Sequence, residues 1–267
     1  MSIQESFNGS ENKDHVVWSA AANVTERLGA SEAYAHESYT LCAGAPIAIR
    51  HTAAQLRIGD VDRALLVAAS REEDLVDYEN EEGSFMFNFG SGASNTTAEA
   101  PVTDRALATV RASAAETDGS FSEDVVMPAG GSVRPPREET VREGLHTLDV
   151  PDPDGMKQRL ADVSAPAFLS VADDALADSG YSRDDLDFVA LTHMKRSFHD
   201  YLVGELGVGD GHLYLDEFGH VQSVDQALAV EAGLDEGLVD PGDVVLFLAA
   251  GTGYTWSATV LEWTGGQ

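Results

Sequence analysis

The chain has 267 residues, 43% of them hydrophobic, and carries 46 acidic side chains against 16 basic ones for a formal net charge of −30. A surface of that sign repels nucleic acid and anionic membranes, and no apolar run reaches transmembrane length, so neither is expected as a partner. One cysteine excludes an internal disulfide and makes a reducing, cytoplasmic setting the default.

The length suits one large domain or two fused halves. The opening Met1-Ser2-Ile3-Gln4-Glu5-Ser6 lacks the charged-then-apolar pattern of a signal peptide. The acids are spread along the chain with only three lysines among them, the coat expected of a halophilic protein that works in molar salt.

In chain order, residues 16–28 have helical spacing and end at Leu28-Gly29. Residues 33–41 read as a strand, 43–57 as a helix, Gly59-Asp60 as a turn, 62–70 as a buried strand and 83–98 as a Gly-containing strand or hairpin. Residues 113–155, with Gly130-Gly131 and Pro135-Pro136, read as a connection between a half at 1–112 and a half at 156–267. The second half offers a helix over 156–179, a strand over 186–191, a helix over 195–205 ended by Leu206-Gly207, and a short strand at 212–216. A helix over 222–237, a Pro241-Gly242-Asp243 turn, a buried strand over 244–250 and a Gly-punctuated last strand complete it.

The same order of elements therefore occurs twice. Leu28-Gly29 and Leu206-Gly207 are 178 residues apart, and that offset places Cys42 on His220 and His15 on His193. On this register Cys42 and His220 open equivalent helices about a pseudo-twofold axis, where two helix N-termini make an anion and oxyanion site. The register also exposes a gap: only 14 residues, mostly polar, precede His15, so the first half is expected to lack its opening strand–helix–strand.

Cys42 ends a strand-like run and is followed by Ala43-Gly44 at the start of a helix. Its surroundings allow two readings: a small buried apolar side chain, or a thiol activated by the helix dipole. Gly90-Ser91-Gly92 is not followed by a Gly-Lys-Ser/Thr and is no nucleotide loop. No His-x-x-x-His or His-Glu-x-x-His spacing occurs and one cysteine cannot build a zinc cage, so no metal is expected. Trp18, Trp256 and Trp263 read as core or dimer-surface side chains.

Six segments, in order, carry a resemblance: Cys42-Ala43-Gly44, Phe87-Asn88-Phe89-Gly90-Ser91-Gly92-Ala93-Ser94, Asp118-Gly119-Ser120, Leu191-Thr192-His193, Gly219-His220 and Gly251-Thr252-Gly253-Tyr254-Thr255-Trp256. Together they resemble the thiolase-fold condensing enzymes, above all the ketoacyl-acyl-carrier-protein synthase III type. The resemblance implies an α/β fold of five αβαβα layers, internally duplicated, here with an incomplete first half. It implies Cys42 as the nucleophile that takes an acyl group from coenzyme A or a carrier protein. His193 and His220 would hold the enolate oxygen of a malonyl- or acetyl-type donor, and backbone N–H groups of Cys42 and Thr252, in the Gly251–Gly253 loop, would hold the acyl oxyanion. The coenzyme A thioester is substrate and no cofactor is implied; acyl-CoA, possibly an acyl carrier protein, and a homodimeric or hetero-oligomeric assembly are the expected partners.

The departures are specific. His220 stands where initiating synthases carry Asn, and it reads as a variant donor or as a structural cap of its turn. Thr252 replaces a glycine, and Met194-Lys195-Arg196 replaces Gln-Ala-Asn; Lys195 and Arg196 read as phosphate or carboxylate binders or as a solvated helix start. A synthase of the hydroxymethylglutaryl-coenzyme A type shares the Cys and His, but no counterpart of its general-base glutamate stands out in residues 1–41. A non-catalytic thiolase-fold subunit is the third reading, favoured by the short N-terminus and opposed by the retained site.

Overall fold

The computed structural model describes residues 6–8 and 13–266. The first half comprises β1 (Ser6–Asn8), α1 (Ala20–Leu28), β2 (His36–Ser38), α2 (Gly44–Ile58), β3 (Arg63–Ser70) and β4 (Gly92–Glu99). The second opens with β5 (Ala108–Thr117) and passes through a connection holding the short α3 (Glu138–Arg142). It continues with α4 (Pro153–Ser179), β6 (Phe188–Leu191), α5 (Arg196–Leu206), α6 (Asp225–Asp235), β7 (Val244–Gly251) and β8 (Thr255–Trp263).

Each half builds one sheet. The first has the order β2-β1-β3-β4, with β1 parallel to both neighbours and β4 antiparallel to β3. The second has the order β5-β8-β7-β6, with β6 parallel to β7 and β8 antiparallel to both its neighbours; a parallel bridge from Val189 to His212 extends the far edge. Aligned strand for strand, β1 matches β6, β3 matches β7 and β4 matches β8. Among the described residues, β5 and α4 have no counterpart in the first half.

The sequence of β6 and β7 is apolar at nearly every position because both faces are covered. Val189, Leu191, Leu246 and Leu248 meet Phe168, Val171 and Ala175 of α4 and Leu202 and Leu206 of α5. Phe188 and Val245 point the other way, onto Ala229 and Val230 of α6. Each fully buried side chain of this size contributes roughly 1.5–3 kcal/mol. In the middle layer α2 packs against β3 and β4 on one side and β5, β7 and β8 on the other. On the outside of the first sheet, Ala20 and Ala21 of α1 meet Val67 and Ala69. The layers run αβαβα. Trp256 and Trp263 lie in the core, and Trp18 packs beside α1.

Three expectations change. The polar N-terminal stretch contains β1, so the first half has the last strand of the expected missing trio; three residues are too few for a side-chain period, and their backbone pairing with β2 and β3 defines the strand. The expected boundary at 112–113 falls inside β5, whose Ala-rich sequence carries little β signal yet pairs with β8 from Ala108 to Thr117. The duplication register shifts: the caps at Gly29 and Gly207 keep the offset of 178, both left-handed (φ 66° and 77°). Beyond them, the 3-10 turn Leu41–Ala43 that leads into α2 matches the turn Gln222–Val224 that leads into α6. Their first residues are the only non-glycines with positive φ among the described residues (Leu41 51°, Gln222 57°). Cys42 thus corresponds to Ser223, and His220 lies three residues earlier.

Candidate active site

The sulfur is placed by the 3-10 turn that follows β2 and precedes α2. That turn is pressed onto the end of β7: a Cβ at Gly251 would lie 2.3 Å from Thr40 O and 2.8 Å from Ala43 N, so only glycine lets the two backbones approach. Ser257 Oγ of β8 donates to Ala43 O at 3.0 Å, and Thr259 Oγ1 to Pro46 O at 3.2 Å, fixing the start of α2 on the second sheet.

His220 reaches the sulfur from the second half. Its backbone N–H donates to Asn88 O at 2.8 Å and its carbonyl accepts Gly90 N–H at 2.9 Å, tying it to the Phe87–Ser94 segment. A Cβ on Gly90 would stand 2.3 Å from Phe218 O, and one on Gly219 2.2 Å from Asn88 O. These glycines are contact residues between the halves. The ring of Phe89 meets His220 edge-on at 5.2 Å.

Within this frame His220 Nε2 lies 3.1 Å from Cys42 Sγ, and His220 Nδ1 lies 2.6 Å from Asp225 Oδ2. Asp225 is the first residue of α6 and is 0% exposed. It also accepts His193 N–H at 2.7 Å on the same oxygen and Val221 N–H at 2.7 Å on the other. One carboxylate therefore fixes both histidines. Burial works against a charge on His220, but Asp225 first and Cys42 next outweigh it and hold its pKa well above the ordinary value. A buried carboxylate accepting three hydrogen bonds is compensated for its desolvation.

His193 follows β6 and is buried, as are Cys42 and His220. Burial lowers its pKa against the pull of Asp225, the opposite direction to that of His220. Its Nδ1 makes no hydrogen bond. Its ring lies 4.6 Å from that of Tyr214, which is held by a 2.8 Å hydrogen bond from its hydroxyl to Met194 O and by the Arg196 guanidinium 4.7 Å over its ring.

The structure thus joins Cys42, His193 and His220. Gly251 ends β7 and touches the Cys42 turn, and Thr252 and Gly253 begin the turn to β8. Asp118, from the Asp-Gly-Ser segment, exchanges backbone hydrogen bonds with Tyr254 at 3.0 and 3.2 Å and so braces that loop. Lys195 is exposed at the cap of α5, and Arg196 pairs with Asp200 at 3.0 Å and Asp216 at 3.8 Å, a surface arrangement. Asp225, Gln222 and Tyr214 are absent from the sequence reading. For Asp225 a signal exists, an acid between buried Val224 and Gln226, but it is one acid among 46. Among the described residues no group of His, Cys, Asp and Glu is arranged to hold a metal ion, and no helix is long and apolar enough to cross a membrane.

Two family models match the two halves in turn. Residues 38–119 match 3-oxoacyl-acyl-carrier-protein synthase III, and residues 176–263 match the C-terminal part of the same family. The chain is 25% identical over 246 residues to the β-ketoacyl-acyl-carrier-protein synthase III of a Chelativorans species, covering 91% of this chain and 72% of that protein. It is 26% identical over 255 residues to the synthase III of Rhizobium johnstonii, covering 94% and 74%. Among solved structures, the synthase III of Pseudomonas aeruginosa superimposes with a TM-score of 0.81 at 19% identity, over 98% of this chain and 76% of that one. The synthase III of Aquifex aeolicus gives 0.78 at 19% identity, over 98% and 76%.

Proposed function

The chain belongs to the β-ketoacyl-acyl-carrier-protein synthase III family of thiolase-fold condensing acyltransferases, and from that membership we propose that Cys42, His193 and His220 carry its chemistry. The observation that supports the assignment is the 3.1 Å approach of His220 Nε2 to the Cys42 sulfur, with Asp225 behind the ring. Cys42 Sγ attacks the carbonyl carbon of an acyl thioester, its proton passing to His220 Nε2. The oxyanion collapses, the carrier thiolate leaves with a proton, and the acyl group stays on sulfur. Losing one oxyanion donor typically slows such a step about 100- to 1,000-fold, and the backbone N–H groups of Cys42 and Thr252 are the donors assigned here.

A malonyl-type thioester then loses carbon dioxide, and the enolate oxygen takes hydrogen bonds from His193 and His220. The enolate carbon attacks the acyl carbonyl, a C–C bond forms, and Cys42 is expelled as leaving group. The two imidazoles suit different tasks: His220, paired with a carboxylate, exchanges a proton with sulfur, while His193 stays neutral and donates from one nitrogen. Substrates are acyl-CoA and a malonyl or acetyl thioester on coenzyme A or a carrier protein, with no cofactor. The active form is a homodimer or hetero-oligomer in a cytoplasm of high salt.

The test is incubation with labelled acyl-CoA in molar salt, followed by mass spectrometry of the intact protein. Acyl transfer to Cys42 that vanishes in Cys42→Ala supports the enzyme. No adduct at any chain length would return the chain to a scaffold role.

A further inference from the structure

The His220 pairing leaves one contact of the sulfur without a role. Cys42 Sγ lies 2.6 Å from Gln222 Oε1, closer than to His220. A thiol has one hydrogen to give. Because Asp225 engages His220 Nδ1, a neutral ring presents a lone pair at Nε2, and the amide oxygen presents another. Two acceptors then face one S–H. The conflict is relieved when the proton sits on Nε2, which donates to sulfur, and the amide turns by half a revolution to offer its N–H. Amide oxygen and nitrogen are nearly the same size, so that turn needs no extra room.

The backbone is built to hold this contact. Gln222 has φ 57°, a left-handed conformation that costs a non-glycine residue. The preceding residue, Val221, is pinned through its N–H to Asp225 Oδ1 at 2.7 Å. The equivalent position of the first half, Leu41, is left-handed too and directly precedes the sulfur-bearing residue. The twofold repeat thus brings its two strained lead-in turns face to face, and in the second the side chain returns to the nucleophile.

We propose that Gln222 is a further catalytic residue of this site: its side-chain amide receives the Cys42 thiol hydrogen at rest and, turned over, donates to the sulfur once the proton has moved to His220 Nε2. Only the S–H bond breaks, the electron pair stays on sulfur, and the proton is held on the ring. The proposal rests on Cys42 being the nucleophile. Hydrogen bonds to an ionised acceptor are about twice as strong as neutral ones and S–H is a weak donor, so the donating contact is the stronger of the two and the amide favours the thiolate. The titratable groups that face the sulfur are His220 and Tyr254, with Asp225 and His193 immediately behind.

The experiment is the pH dependence of Cys42 alkylation by iodoacetamide, read by intact-protein mass in molar salt; it needs no substrate. Gln222→Met, which keeps length but neither hydrogen bond, is expected to raise the alkylation midpoint by about half a unit to one unit. Gln222→Glu, an acceptor with a charge, is expected to raise it by more than about one unit. Far-UV circular dichroism establishes that each variant is folded, and either alone suffices for the test. A midpoint that is unchanged or lowered in a folded variant overturns the proposal. If the wild-type protein takes no acyl group while the Gln222 variants shift as stated, the condensing role fails and with it the catalytic role of Gln222, while its hydrogen bond to the Cys42 thiolate stands.

Discussion

Replacing Asp225 by Asn tests how the two halves share the work of activating sulfur. The change keeps size and shape but puts an NH2 group where Oδ2 now accepts from His220 Nδ1 at 2.6 Å and from His193 N–H at 2.7 Å. The hydrogen bond from His193 N–H to a fully buried carboxylate is lost, and the one to His220 survives only with its direction reversed. Breaking a buried charged pair of this kind costs about 3–5 kcal/mol, so the urea midpoint in molar salt should fall by that equivalent. The Asn amide would donate to Nδ1, driving the ring proton to Nε2, and that tautomer cannot take the thiol hydrogen. Acyl transfer to Cys42 should slow by about 100- to 10,000-fold, the usual range of general base catalysis.

The pH dependence has a definite sign. The pKa of His220 is raised on folding, so its stabilisation is complete below the unfolded value near 6.5 and is lost as pH rises through the folded value. Urea midpoints at a series of pH values should show this alkaline decline in the wild type and not in Asp225→Asn. Acylation of the variant at a rate within roughly threefold of the wild type, an effect well below the catalytic range just given, would refute the reasoning. So would an alkaline decline that persists in it.

Three further outcomes follow from single sites. His193→Ala should abolish decarboxylative condensation while leaving acylation of Cys42 largely intact; equal loss of both half-reactions would contradict its role. Gly90→Ala would set a methyl group 2.3 Å from Phe218 O, so the loop carrying His220 must move. A stability loss of about 1–3 kcal/mol together with slower acylation is expected, and unchanged acylation would show that the loop tolerates the shift. His199 is buried 3.1 Å from His212 Nδ1; burial first, and His212 next, push its pKa down to about 4. Its contribution is present above pH 6.5 and lost as pH falls from there towards 4, so His199→Gln should flatten the acid limb of a urea-midpoint profile. An unchanged acid limb would assign that loss to other groups.

The long elements were legible because burial on both faces leaves a mark in sequence. Residues 62–70 and 244–250 read as buried strands and became β3 and β7; 43–57 became α2 and 156–179 lies within α4. The short or small-residue elements were not. β1 is only three residues, Ser6-Phe7-Asn8, and β5 is largely Ala, Ser and Thr, so neither has a period or propensity that marks it. Cys42, His193 and His220 could be named because each sits in a glycine-flanked or strand-terminal motif. Asp225 could not be, since the formal charge of −30 hides one buried acid among many that face solvent.

By itself the sequence determined the double lobe and singled out one cysteine and two histidines as candidates, since these are written as local pattern and repeated order. Only the tertiary structure decided which acid lies behind His220, which amide touches the sulfur, and that the repeat register moves from 178 to 181 before the site. Those depend on two backbones meeting at Gly90, Gly219 and Gly251, where a single methyl group would hold them apart. Contacts at that range join residues about 180 positions apart, and no local pattern records them.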